Sequence, residues 1–86
     1  SYFNLEYKEE FILAKPETFA AIRKEACLTT MEVRVINVIR SFAKGKVPFK
    51  LGRIFELITE KNRDLVIDAI EGLIEKKLIL PDEKKK

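Results

Sequence analysis

Apolar residues along the chain recur mainly at helical spacing, with two short extended runs near its ends. Val66, Ile67, Ile70, Leu73 and Ile74 follow the three- and four-residue steps of one helix face. Asn62 precedes them as an N-cap, and Asp64 places negative charge at the positive helix end. A helix is predicted over 63–77, with Lys76 and Lys77 in its last turn. Leu78, Ile79 and Leu80 predict a short strand that Pro81 stops. Thr29-Thr30-Met31-Glu32 matches a capping box and opens a second helix over 30–43. Val33, Val35, Ile36, Val38, Ile39 and Phe42 make that helix central to the core, Glu32, Arg34, Asn37, Arg40 and Ser41 fall mainly on its wetter side, and Gly45 ends it. Leu51, Ile54, Phe55 and Ile58 predict a helix over 51–59 that faces inward, followed by the tight turn Glu60-Lys61-Asn62.

The N-terminal third is less regular. Pro16 and Glu17 suit the first turn of an additional helix over 16–28, with Phe19, Ala20, Ile22, Ala26 and Cys27 on a narrow apolar face. Residues 1–14 read as a strand-like arm. Tyr2, Phe3, Leu5 and Tyr7, then Phe11, Ile12 and Leu13, are too apolar to stand in water, so the arm packs on this domain, a second copy or a partner. Lys46-Val47-Pro48-Phe49 is extended, and Pro48 limits it to a brief edge strand. The chain thus divides into an arm at 1–14, an additional helix at 15–28, a core at 29–80 and a charged tail at 81–86.

Composition changes the picture in three ways. The apolar fraction of 47% supports one small core in 86 residues, or one piece of a larger chain, and Ser1 in place of Met reads as a trimmed start. The absence of His, Trp and Gln beside abundant Ile, Lys and Glu resembles the usage of hyperthermophile proteins. Cys27 stands alone, which excludes an internal disulfide, and it reads as a small buried residue in a helix. No apolar run approaches a membrane span and no secretory pattern appears, so a cytoplasmic protein is expected.

The run VPFKLGRIFELI followed by NRDLVIDAIEGLIEKKLIL resembles the winged-helix superfamily: helix, short strand, helix, turn, helix, strand. The expected fold class is therefore mainly α, a three-helix core with short strands, an additional N-terminal helix and a reduced wing. The wing is reduced because only PDEKKK follows Leu80, where a full wing needs a returning strand. Broken-winged forms occur in archaeal ESCRT-III-like cell-division proteins, where a partner peptide completes the sheet. By that likeness, Phe11-Ile12-Leu13 could supply the missing strand, from the same molecule or a second one.

Catalytic chemistry has little to stand on. The chain lacks His, a second Cys, a Gly-rich phosphate loop and a metal-ligand cluster, so neither an enzyme nor a cofactor is expected. Asp64, Asp68, Glu71 and Glu75 lie at offsets that stack four carboxylates on one helix face. In the winged-helix family that helix usually enters the DNA major groove, and an acidic face there would meet phosphate repulsion. Two functions are therefore weighed. In the first, a protein-interaction or assembly module uses Asp64, Asp68, Glu71, Glu75 and the strand Phe11, Ile12 and Leu13, with a protein partner or a second copy. In the second, a duplex-DNA-binding domain of a transcription regulator or a replication or repair factor uses Lys44, Lys46, Lys50 and Arg53, with Lys61, Asn62 and Arg63 at the helix entry.

Overall fold

The computed structural model of the protein describes residues 10–25 and 27–82. The expected packing of Tyr2, Phe3, Leu5 and Tyr7, the place of Ala26 and the end of the lysine tail lie outside those residues. Along the described chain run β1 (Phe11–Leu13), α1 (Pro16–Glu25), α2 (Thr30–Phe42), α3 (Leu51–Leu57), α4 (Arg63–Glu75) and β2 (Ile79–Pro81). The architecture is mainly helical with a small sheet, as the apolar spacing predicts.

The sheet is built from the two ends of the described chain. β1 pairs antiparallel with β2, in the register Phe11↔Pro81, Ile12↔Leu80 and Leu13↔Ile79. Ala14 N donates to Leu78 O at 2.9 Å and Asp82 N to Glu10 O at 2.8 Å. Ladder bonds alternate along an antiparallel pair, so the Phe11↔Pro81 position needs no amide from Pro81. Pro81 is thus the last strand residue, where a stop after Leu80 was expected. The other edge of β1 is also used. Phe11 and Phe49 exchange both backbone bonds, at 2.7 and 2.8 Å, so the predicted brief edge strand is a single bridge. β1 lies between Phe49 and β2, and the strand comes from the same molecule. Phe11 and Leu13 are buried in the core and Ile12 is half-buried, so this segment packs into its own fold.

α2 and α4 share the most extensive contact between elements. Val35 and Ile39 from α2, Ile54 from α3, and Val66, Ile70 and Leu73 from α4 are fully buried in one cluster with Leu51, Leu78 and Ile79. Phe42, Phe55, Ile67 and Ile74 pack on its margin. Val33 does not join it. α2 carries more apolar residues than one face can bury, and Val33 is left 38% exposed.

The capping box of α2 forms as predicted: Glu32 N donates to Thr29 Oγ1 and Thr29 N to Glu32 Oε1, both at 3.0 Å. Glu32, however, is not on the wet side; only 4% of it is exposed. Its carboxylate also accepts from Lys76 Nζ at 2.7 Å, and it rests against Gly72 of α4. A Cβ on Gly72 would collide with Glu32 Oε2, so that glycine makes room for the carboxylate.

Four helix ends fall short of expectation: α2 stops one residue early, at Phe42, and at the other three a neighbouring bond takes the backbone elsewhere. α1 stops at Glu25, since Thr29 must be extended (φ −73°, ψ 162°) to cap α2. Cys27 consequently lies outside the helix and is exposed, and Ala20 faces solvent too. α3 ends at Leu57 because residues 58–60 are held against α2: Arg34 donates to Thr59 Oγ1 at 3.0 Å and to Glu60 Oε1 at 3.4 Å. α4 ends at Glu75. Lys77 takes a left-handed conformation (φ 64°), with Leu78 N bonded to Leu73 O and Lys77 N to Ile74 O. That pair of bonds is a Schellman motif, in which Lys77 fills the place glycine usually takes.

Two outcomes test this packing. Gly72→Ala would ordinarily gain up to about 1 kcal/mol of helix propensity. Here it should instead destabilise by about 1–3 kcal/mol, because it displaces a buried, hydrogen-bonded carboxylate. Urea denaturation of Gly72→Ala, Glu32→Ala and the double variant should show strong coupling, with the double variant much more stable than the sum of the single losses implies. Phe11→Ala should cost about 3–5 kcal/mol, and deletion of residues 1–14 should depress the thermal melt at least as far. A melt unchanged by that deletion would place β1 outside the core.

Candidate functional site

The two charged surfaces foreseen in the sequence are both present, but several of their members already have work inside the fold. α4 is fixed at its start by Asn62, whose Oδ1 accepts from Asp64 N at 3.0 Å, while Glu60 Oε2 accepts from Asn62 N at 3.1 Å. With Val66, Ile70 and Leu73 turned into the core, helical geometry sends Asp64, Asp68 and Glu75 outward, and all three are exposed. Glu71 is half-buried and already engaged within the structure. Successive carboxylates four residues apart are separated by about 6 Å of helix rise, so they form a stripe and do not converge. Among the described residues no cluster of three acidic, Cys or His groups could hold a metal ion.

Leu65 stands in the same region and is 46% exposed. It was absent from the predicted interaction residues, although a signal existed. It sits one position before Val66 and three before Asp68, which turns it off the buried stripe toward the acidic one. Leu57, at the end of α3, is a second exposed apolar residue, at 42%.

The basic residues divide into engaged and unengaged groups. Arg53 pairs with Glu56 at 2.7 Å on the exposed side of α3. Arg63 lays its guanidinium over the Phe55 ring, 4.5 Å from the centroid, and so pins the first turn of α4 to α3. Asn62 is committed to its cap. Arg40, at the edge of the basic stretch, stacks over Phe19 at 5.0 Å and clamps α1 to α2. Lys44, Lys46, Lys50 and Lys61 are exposed and make no ion pair among the described residues.

Lys44, Lys46 and Lys50 share one connection, which a turn at Gly45 (φ 64°) and a bond from Val47 N to Lys44 O at 3.3 Å hold in shape. Val47 projects from its middle, 51% exposed. Beside this connection runs an open groove of about 460 Å³, with Phe42, Pro48 and Phe49 on its floor and Lys50, Arg53, Glu10 and Glu56 on its walls. Phe42 and Phe49 meet edge to face at 5.9 Å, which keeps that floor rigid. Its walls carry both signs of charge, so it favours neither anions nor cations. No helix of the described residues is long and apolar enough to cross a membrane.

The stacking of Arg63 has a measurable consequence. Arg63→Ala should lower stability by about 0.5–1 kcal/mol through the lost ring contact alone. Urea denaturation checks it, and an unchanged midpoint would release Arg63 from a structural role. Compared with protein families, curated proteins and solved structures, this chain finds no match.

Proposed function

We propose that this protein is a non-catalytic winged-helix-like module that binds another protein or mediates assembly, with the solvent face of α4 as its contact surface. The observation that carries the reading is the exposure of Asp64, Asp68 and Glu75 on that face. A helix so charged is repelled by nucleic-acid phosphates and attracted by basic protein surfaces. Support for the winged-helix part comes from α2, the Phe49 bridge, α3, the short connection at residues 58–62, α4 and β2 in that order, with β1 beside β2 where a returning wing strand would run. The exposed thiol of Cys27 suits a reducing, cytoplasmic compartment.

A second reading, duplex-DNA binding, draws on Lys44, Lys46 and Lys50, which are exposed and make no ion pair among the described residues. A labelled duplex titrated at two salt concentrations separates the two. For a protein-binding module, affinity should be weak, about 10⁻⁴ to 10⁻⁶ M at physiological salt, and independent of sequence. Neutralising Asp68, Glu71 and Glu75 should then change binding only through net charge. Tight, sequence-dependent binding that Arg63→Ala weakens by about 1–3 kcal/mol, beyond its effect on folding, would overturn the proposal and make this a DNA-binding domain.

A further inference from the structure

The acidic and basic surfaces of this chain match one another. On α4, exposed Leu65 is bordered by Asp64 and Asp68, with Glu75 further along the helix. On the connection between α2 and α3, exposed Val47 is bordered by Lys44, Lys46 and Lys50. The predominant charges of the two surfaces are opposite in sign; exposed Lys61 and Arg63 stand at the entry of α4, and Glu10 shares a groove wall with Lys50. Among the described residues no ion pair engages Lys44, Lys46, Lys50, Asp64, Asp68 or Glu75.

We propose that the partner of the α4 face is a second copy of this chain, which presents its Lys44–Lys50 connection. This rests on the reading of α4 as a protein-binding surface and names what it binds. Asp64 to Glu75 spans about 16 Å of helix. The turn bonded from Val47 N to Lys44 O keeps those two Cα atoms within about 7 Å, and the three steps on to Lys50 add at most about 10 Å. The lysines can therefore address separate carboxylates while Val47 meets Leu65. The contact joins two different patches: two copies can exchange both contacts reciprocally about a two-fold axis, or successive copies can add head to tail in a row. One helix face against one connection buries less area than a permanent interface needs, so the association is weak and reversible. Opposite charges at the rim make it sensitive to salt.

A charge exchange tests the contact directly. One variant carries Asp64→Lys, Asp68→Lys and Glu75→Lys; the other carries Lys44→Glu, Lys46→Glu and Lys50→Glu. All six positions are exposed, and circular dichroism melts confirm that both variants fold. Sedimentation equilibrium from about 10 µM to 1 mM brackets a weak association. Wild-type protein should self-associate at low salt and dissociate as salt rises. Each variant alone should lose association at least about tenfold, because both of its patches then carry the same sign. An equimolar mixture should recover it, because both contacts between unlike variants are attractive again. Leu65→Ser should weaken the wild-type assembly by about tenfold without altering its salt dependence. A wild type that stays monomeric throughout, or an assembly indifferent to both reversals, or a mixture that fails to recover, overturns the proposal. The broader protein-binding reading is judged separately by the duplex titration, which does not depend on self-association.

Discussion

The carboxylate of Glu32 is the interaction on which much of the molecule depends. It closes the N-terminus of α2 through Thr29, takes the ammonium of Lys76 at the end of α4, and occupies the space that Gly72 leaves open. A buried charge is tolerated only when it is paired and hydrogen-bonded, and here backbone and ammonium donors both serve it. One side chain thereby locks the start of one core helix to the end of another. The same lock positions the left-handed turn at Lys77, from which β2 departs.

From that point the chain's ends are brought together. β2 leaves α4 beside β1, and β1 reaches across to Phe49. The sheet is small, but it closes the core over Leu78, Ile79, Phe11 and Leu13. Side chains with charge are used in the same economical way at the helix junctions. Arg34 holds the connection after α3, Arg63 holds the first turn of α4 to Phe55, and Arg40 holds α1 through Phe19. Three arginines therefore have structural partners, while among the described residues Lys44, Lys46 and Lys50 stand exposed on one connection without an ion pair.

This division of labour shapes the surface. Compactness comes from a core that α2 and α4 dominate, so the faces opposite it are left to solvent. Acidic charge collects on the outward side of α4 and basic charge around Val47, each with an exposed apolar residue at its centre.

Local rules read well from the sequence. The Asn62 cap, the Thr29–Glu32 capping box, the inward faces of α2 and α4 and the existence of all four helices follow from spacing and capping chemistry, which act within a few residues. The acidic stripe was equally legible, because helix geometry alone aligns positions 64, 68, 71 and 75. What periodicity could not supply were relations between distant residues. The burial of Glu32 depends on Lys76 and Gly72, more than 39 positions away. The early ends of α1 and α3, and with the first the exposure of Cys27, depend on what Thr29 and Arg34 must reach. Phe11 to Leu13 found its place only when β2 and Phe49 met on either side of it. Hydrophobic spacing determined which stretches became helices, because that preference is local. Tertiary packing decided where they stop, which charges are spent inside and which reach solvent, because those depend on contacts the linear chain does not contain.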